Sequence, residues 1–327
     1  MLNQGKMNSG ESAKGEHVAV SGSGGRMNAP SVSVGLPVYN GERYLRVAVD
    51  SILNQTLRDL ELIICDNAST DGTEGICREY AAREPRVRYF RNPSNIGASQ
   101  NFCRVFELAQ APYFKWLAAD DYCAPEFLDR CKRVLDDSPD TVVCTTKANM
   151  IDQDGQIISR YAERQDLPQL RASERMIASR AQDSWCIAVY GLMRTEVIRR
   201  TAVVGNYVGS DVVLLAEISL YGHFTEVPEY LLFRRLHPDA YSHEVTLDKV
   251  REFYAPGKKH GMAFVFRTWR HLYEYLRAIG RAPLPIDEKI RLFVYVLRMG
   301  WWNWRQLVAE IASALRSMIA SQGGRGE

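Results

Sequence analysis

The stretch Tyr113-Phe-Lys-Trp-Leu-Ala-Ala-Asp-Asp121 is an apolar run of strand length that ends on two adjacent carboxylates. A second run, Leu60-Glu-Leu-Ile-Ile-Cys-Asp66, also ends on an acid. Short apolar runs bounded by polar residues are typical of strands in a sheet that is covered on both faces. The two runs therefore predict strands of one sheet, each with a carboxylate at its carboxyl end.

Upstream of these runs, Val32, Val34, Leu36 and Val38 alternate with small residues and end on Pro37-Val-Tyr-Asn40. This period of two predicts the first strand. We expect Asn40 to cap the helix that follows, because asparagine is a favoured N-cap residue.

Helical patterns of about ten residues or more separate the strands up to residue 145, which indicates a parallel sheet. The predicted fold class is therefore α/β, a doubly wound and mainly parallel sheet with flanking helices. Ligands in such sheets bind beyond the carboxyl ends of the strands. Residues 37–40, Asp66 and the pair Asp120–Asp121 should thus meet at one crevice.

The strand–helix alternation ends near residue 150. The later pattern predicts a hairpin turn at 152–155, an extended segment at 185–194, a helix at 211–221, short strands at 224–227 and 231–235, and helices from 255 onward, broken by Pro283 and Pro285.

The 327 residues carry a formal net charge of +2 and are 46% hydrophobic, which is an ordinary globular composition. The balanced charge does not indicate binding to nucleic acid. Residues 1–30 are rich in Gly, Ser and Asn and predict a disordered leader. They lack the apolar core of a secretory signal. The chain nowhere reaches the roughly 18 consecutive apolar residues of a spanning helix.

The seven cysteines are odd in number and contain no Cys-x-x-Cys pair. This spacing predicts reduced thiols rather than disulfides or a zinc site. We therefore expect a cytoplasmic protein.

Two carboxylates at the end of a buried strand repel each other, so both ionise only when a cation or donor compensates them. A divalent ion that bridges to a diphosphate would do so. Neither a P-loop nor a Gly-x-Gly-x-x-Gly motif follows the first strand, which argues against the commoner nucleotide-binding devices. The alternative is that Asp120 and Asp121 simply cap the next helix.

Five segments in this order resemble the successive motifs of the family 2 glycosyltransferases: Val34–Leu45, Ser51–Thr56, Glu61–Thr73, Asn95-Ile-Gly97 and Ala119-Asp-Asp121. The resemblance covers residues 31–150. It implies a GT-A fold, a nucleotide-diphosphate sugar as donor, Mg²⁺ or Mn²⁺ as cofactor, and transfer with inversion. A glycan or lipid-linked acceptor would suit synthesis of a polysaccharide, a glycolipid or a cell-envelope glycan.

The resemblance also implies domain limits. It predicts a GT-A domain at 31–245, with a nucleotide-sugar half at 31–150 and an acceptor half at 151–245. A basic helical C-terminal extension would then occupy 246–327.

The resemblance assigns roles by position. Nucleotide-sugar binding falls to Pro37, Tyr39, Asn40, Asp66, Asn95, Asp120 and Arg235, and metal binding to Asp120, Asp121 and His237. Ala118 stands where the family often has a first acid, which leaves open which aspartate binds the metal directly. From the residues alone, Asp66 could equally form a turn, Tyr39 could pack, and His237 could be a structural histidine.

Inversion in one step needs a base for the acceptor hydroxyl. In the resembling family this base is an acid at the start of a downstream helix, and Asp211 matches that position. The alternative for Asp211 is a helix N-cap. Glu217 is the second choice, although we expect it to face polar core or solvent.

The C-terminal part is basic, with eleven Lys or Arg against four acids between residues 257 and 316. Apolar side chains there recur at helical spacing: Ile286, Ile290, Phe293, Val294, Leu297, Trp301 and Trp304. A basic amphipathic helix with tryptophans can lie in a membrane interface, which predicts peripheral contact with the inner face of a membrane. The alternative is that the stripe covers the transferase domain.

Two other functions remain open. A sugar-nucleotide pyrophosphorylase is disfavoured because the first strand lacks a Gly-rich, basic loop for a triphosphate. A non-catalytic nucleotide-sugar-binding or scaffold protein would keep the fold without turnover.

Overall fold

The computed structural model describes residues 29–161, 163–181, 186–238, 250, 253–254, 256 and 266–323, with side chains up to residue 316. Most of the expected leader, Trp185 and most of 239–265 lie outside the described residues.

The strands, numbered in chain order, are β1 Val32–Val38, β2 Leu60–Asp66, β3 Val87–Arg91, β4 Tyr113–Trp116, β5 Tyr122–Cys123, β6 Thr141–Ile151, β7 Ile157–Tyr161, β8 Leu192–Arg194 and β9 His223–Arg235. The α-helices are α1 Leu45–Leu53, α2 Thr73–Arg83, α3 Ala98–Glu107, α4 Phe127–Asp137, α5 Ala172–Ala181, α6 Thr195–Arg199, α7 Ser210–Ile218, α8 Arg267–Arg281, α9 Ile286–Trp302 and α10 Trp304–Gly323. A 3₁₀ helix spans Ile187–Tyr190.

The strands of the described residues form one nine-stranded sheet in the order β3-β2-β1-β4-β8-β6-β9-β5, and β7 pairs with β6. Strands β1 to β4 pair in parallel, and β6 pairs in parallel with β9. Strand β8 is antiparallel to both β4 and β6, so it joins the two parallel parts. The expected α/β class with a mainly parallel sheet is confirmed.

Strand β1 is buried along its whole length, including its small residues. The Ser33 hydroxyl donates to the Glu61 carboxylate at 2.6 Å. A Cβ on Gly35 would lie 2.7 Å from the Phe114 ring, so only glycine fits there. Both faces of β1 are thus covered, and the period of two is an alternation of larger and smaller side chains. Strand β1 lies in the interior of the sheet, between β2 and β4.

Three local expectations are wrong. Asn40 does not cap α1, which begins at Leu45 after an N-cap at Tyr44. The backbone of Asn40 has a φ of 50° instead. The described part of 185–194 is a 3₁₀ helix followed by a strand of three residues, and the two expected closing strands are the single strand β9.

Helix α8 packs on α7 through a hydrophobic cluster that contains Tyr275, Ile279 and Val213. A ring nitrogen of His271 lies 2.7 Å from the carbonyl oxygen of Val208, just before α7. The C-terminal helices therefore buttress the part of the chain that carries Asp211. Within the described residues, none of the helices is both long and apolar enough to cross a membrane.

Candidate active site

The carboxyl ends of β1, β2 and β4 lie side by side, as the register of these strands requires. Val38 at the end of β1 pairs with Asp66 at the end of β2, and Gly35 of β1 pairs with Trp116 of β4. The loop with Asp120 and Asp121 follows β4 directly. Parallel pairing thus brings the expected acids to one edge of the sheet.

The loop after β1 is bonded to the loop after β2. The backbone amide of Asn40 donates to the Ser69 hydroxyl at 2.9 Å, and the Asn40 side-chain oxygen accepts from the Thr70 amide at 2.8 Å. Pro37 is buried, whereas the Tyr39 ring is 45% exposed. Tyr39 is therefore available to stack on a planar ligand.

Asp66 is fully buried, and its carboxylate oxygens are bonded by other groups of the protein. Its Oδ1 accepts from the Ser69 amide at 2.8 Å, and its Oδ2 accepts from the Tyr89 hydroxyl at 3.0 Å. The Arg91 guanidinium forms an ion pair with the same Oδ2. The bond to the Ser69 amide is the turn contact that was the alternative role for Asp66. A hydrogen bond from a nucleotide base to this carboxylate stays a prediction.

Asn95 belongs to a network of asparagine side chains that sequence reasoning missed. Asn67 donates to Asn95 at 2.7 Å and accepts from Asn92 at 2.8 Å. Asn101 accepts from Asn92 at 3.0 Å and donates to the backbone oxygen of Cys65 at 2.8 Å. The network ties the end of β2 to the start of α3 and thereby sets the shape of this side of the crevice.

Asp120 and His237 face each other. His237 Nε2 lies 3.1 Å from Asp120 Oδ2, although 117 residues separate them in the chain. The Asp120 side chain is 30% exposed and that of His237 is 11% exposed. The other ring nitrogen of His237, Nδ1, has no hydrogen-bond partner among the described residues.

This pair fits two positions around a divalent ion. Two ligand atoms at about 2.1 Å from an octahedral ion lie about 3 Å apart when they occupy neighbouring positions. The described residues contain no group of three or more His, Cys, Asp or Glu that could hold a metal. Mg²⁺ sites commonly use one or two protein ligands together with substrate phosphates and water. The donor set present is thus of the kind that a metal–diphosphate site needs.

Asp121, the second of the two adjacent acids, is only 3% exposed. Its Oδ1 accepts from the Arg235 amide at 2.8 Å, and its Oδ2 lies 3.9 Å from Arg234. Burial, together with the neighbouring charge of Asp120, raises the pKa of the Asp121 carboxyl to about 7. Asp121 thus anchors the end of β9 beside Asp120, and its own metal contact stays a prediction.

The Arg235 side chain is buried, and its described hydrogen bonds go to backbone carbonyls. Its Nε donates to Asp120 at 3.0 Å, and its Nη1 donates to Asp152 at 2.9 Å. The guanidinium lies 4.4 Å from the centre of the Tyr44 ring, which also packs against His237. These contacts hold the Asp120 loop in place, whereas contact with a diphosphate remains a prediction.

Asp211 lies in the first turn of α7 and is partly buried. The N-cap of α7 is Gly209, and the Asp211 carboxylate accepts from the adjacent Val212 amide at 3.0 Å. Asp211 is therefore not the N-cap residue, although its carboxylate bonds an amide of the first turn, and its role as a base stays a prediction.

The Arg234 guanidinium lies 5.2 Å from the centre of the Tyr190 ring. Burial raises the pKa of the Tyr190 phenol, and the Arg234 guanidinium opposes this shift. The negative charges of Asp121, Asp120 and Asp211 raise this pKa further. The buried Lys115 ammonium donates to the Tyr190 carbonyl and fixes its position. Neither residue was expected in the site, because Lys115 lies inside an apolar strand and Tyr190 inside an irregular segment.

Glu217 is not a candidate base, which corrects the second choice. Its side chain is 1% exposed, and its two oxygens accept from Arg281 Nε at 2.8 Å and Nη2 at 2.9 Å. A carboxylate held in this way by a guanidinium has no access to an acceptor. Glu217 instead links α7 to α8.

We expect Arg281→Met to lower the free energy of unfolding by about 3 kcal/mol, because it leaves the buried Glu217 carboxylate without its partner. Adding Glu217→Gln should recover part of that loss. Urea denaturation of both variants measures the difference. A single variant as stable as the wild type would show that the pair does not hold α8 on α7.

The mixed sheet, the helices on its faces and the acids at its edge define a GT-A glycosyltransferase fold. The family model for glycosyl transferase family 2 matches residues 33–201, and the chain belongs to this family.

Several curated relatives are similar over part of the chain. Chondroitin synthase of Escherichia coli is 38% identical over 136 residues, which is 40% of this chain and 19% of that protein. Hyaluronan synthase of Pasteurella multocida is 35% identical over 150 residues, which is 46% of this chain and 15% of that protein. The chain thus spans less than a fifth of the length of these relatives. An uncharacterized protein of Mycobacterium tuberculosis is 28% identical over 324 residues, which covers 86% of this chain and 88% of that protein.

Two solved structures share the fold. TarS 1–349 of S. aureus in complex with UDP superposes with a TM-score of 0.59 at 14% identity, over 83% of this chain and 72% of that chain. The mannosyltransferase PcManGT of Pyrobaculum calidifontis, in complex with GDP-Man and Mn²⁺, gives 0.52 at 16% identity, over 91% and 80%.

Proposed function

We propose that the protein transfers a sugar from a nucleotide-diphosphate sugar to a hydroxyl of a saccharide or lipid-linked acceptor, with inversion at the anomeric carbon. The observation that carries this proposal is the Asp120–His237 pair at the carboxyl edge of a family 2 sheet. The relatives named as chondroitin and hyaluronan synthases favour a role in polysaccharide or cell-envelope glycan synthesis. We also propose a cytoplasmic location.

Asp120 and His237 would hold Mg²⁺ or Mn²⁺, and Asp121 would keep the Asp120 loop in register. When bound, the ion neutralises charge on the diphosphate leaving group. Tyr39 would stack on the base, and Pro37, Asn40, Asp66 and Asn95 would form the nucleoside pocket. Arg235 would support this site through the Asp120 carbonyl.

Asp211 would accept the proton of the acceptor hydroxyl. The hydroxyl oxygen forms a bond to the anomeric carbon as the bond from that carbon to the diphosphate oxygen breaks. The electron pair of the broken bond leaves with the nucleoside diphosphate. The proton ends on the Asp211 carboxylate, so charge and atoms balance without a covalent enzyme intermediate.

A donor panel tests this function. Purified protein with Mn²⁺ and a mixed set of saccharide acceptors should release nucleoside diphosphate from at least one of UDP-, GDP- or dTDP-sugars, and chelation by EDTA should stop the release. Nucleotide binding by calorimetry without any turnover across the panel would instead identify the non-catalytic binding protein.

A further inference from the structure

The outer face of α9 carries a stripe of large apolar side chains that nothing in the described chain covers. The stripe consists of Ile286, Ile290, Phe293, Val294, Leu297 and Trp301, which are 73%, 56%, 48%, 47%, 55% and 76% exposed. At about 100° per residue these six lie within an arc of about 100° on one side of the helix. The alternative that this stripe covers the transferase domain is therefore wrong.

A different face of α9 packs against the rest of the fold. Leu292, Val296 and Met299 are at most 8% exposed and belong to the cluster shared with α5, α7 and α8. They lie opposite the stripe on the helical wheel. The helix is thus apolar on two opposite sides, and the packing of the fold accounts for only one of them.

Helix α10 carries a second set of exposed apolar side chains. Trp304, Val308, Ile311 and Leu315 recur at spacings of four, three and four residues and are 53%, 55%, 41% and 53% exposed. The inner side of this helix is fixed to α8, because Glu310 accepts from the Thr268 amide at 2.9 Å and the Trp269 indole donates to the Leu307 carbonyl at 3.2 Å. The α9 stripe and these four side chains together are called the outer face below. Monomeric proteins rarely expose an apolar surface of this extent without a partner.

The charges beside the outer face are basic. Between residues 286 and 316, all of which the structure describes, five basic side chains are exposed or partly exposed: Lys289, Arg291, Arg298, Arg305 and Arg316. Asp287 is the one exposed acid in this range, since Glu288 and Glu310 are buried. The Arg298 guanidinium lies 4.9 Å from the Trp302 ring, and the Arg305 guanidinium lies 5.6 Å from the Trp304 ring.

We propose that the outer face of α9 and α10 binds the surface of a membrane that contains anionic lipids. Exposed aliphatic side chains would enter the acyl boundary, and the tryptophans would lie at the level of the head groups. The basic side chains would remain at the phosphates, as long cationic side chains do beside an apolar surface. A second copy of the chain fits less well, because two such faces would bring like charges together.

This binding is independent of the proposed transfer reaction, and its test needs no substrate. The full-length protein is mixed with vesicles of phosphatidylcholine, with or without phosphatidylglycerol, and bound protein is measured by co-sedimentation. We expect binding to the phosphatidylglycerol vesicles, a blue shift of tryptophan fluorescence, and weaker binding at high salt.

The double variant Leu297→Ser/Trp301→Ser should bind these vesicles at least about tenfold more weakly, since it removes two apolar anchors. Lys289→Glu/Arg298→Glu should lose the preference for anionic lipid. Ile158→Ser/Leu170→Ser is the matched control, because these side chains are 55% and 88% exposed but lie outside the outer face. All three variants should keep the wild-type melting temperature.

Three results would each overturn the proposal. The first is wild-type protein that does not bind the anionic vesicles. The second is a Leu297→Ser/Trp301→Ser variant that binds them as tightly as the control variant. The third is a dimer in light scattering that Leu297→Ser/Trp301→Ser dissociates, which would make a second copy the occupant.

Discussion

Asp211→Asn is expected to lower the rate of sugar transfer by about 10²–10⁴-fold, because it removes the group that accepts the hydroxyl proton. Asparagine keeps the shape and the acceptor oxygen of the side chain, so α7 should remain intact. Nucleotide affinity should stay within about twofold of the wild type, since the change affects the transition state rather than donor binding. Steady-state kinetics with the donor found in the panel gives kcat, and calorimetry gives the affinity.

Glu196→Gln is the matched control for this variant. Glu196 is an exposed acid at the start of α6, and its ion pair with Arg200 is a loose one at 4.0 Å. The control should keep full activity. Wild-type turnover by Asp211→Asn would eliminate Asp211 as the base, and an equal loss of nucleotide affinity would move it to the donor site.

Asp120→Asn is expected to reduce turnover at least about 100-fold, because a metal that stabilises a leaving diphosphate contributes several kcal/mol. In contrast to Asp211→Asn, this variant should also lose the Mn²⁺-dependent part of nucleotide binding. The two measurements together therefore separate the metal ligand from the base.

Asp137→Asn serves as its control, because Asp137 is exposed at the end of α4. Wild-type Mn²⁺ dependence in Asp120→Asn would show that Asp120 does not hold the ion.

The sequence predicted the fold of residues 32–116 closely. Strands β1, β2 and β4 are short runs of apolar or small residues bounded by turns, so their ends could be read within one residue. Parallel pairing then placed Asp66 and Asp120 at one edge. Local patterns were sufficient here because β1, β2 and β3 are neighbours both in the chain and in the sheet, and β4 adds in parallel on the other side of β1.

Residues that depend on contacts across the fold could not be predicted in the same way. Glu217 follows Asp211 within the same predicted helix, and only the packing of α8 on α7 shows that Arg281 forms an ion pair with it. Similarly, nothing local indicates that the Asp121 carboxylate accepts from the amide of Arg235 at the far end of β9.

The conformation of the irregular segments could not be predicted from the sequence either. Asn40 has a positive φ and is hydrogen-bonded to the loop after β2. These bonds take the place of the helix cap that its residue type suggested.

The apolar stripe on α9 could be recognised in the sequence as a periodicity. The sequence did not show whether this stripe faces the core or solvent, because the helix is apolar on two sides and a periodicity does not show which side is buried.

The metal site proposed at Asp120 and His237 is tested most directly by a crystal of the protein with Mn²⁺ and the nucleoside diphosphate that it binds, measured for anomalous scattering of manganese. We expect one strong peak within bonding distance of both Asp120 Oδ2 and His237 Nε2, with diphosphate oxygens completing the shell. A nucleotide bound elsewhere, or a manganese peak that contacts neither side chain, would contradict it.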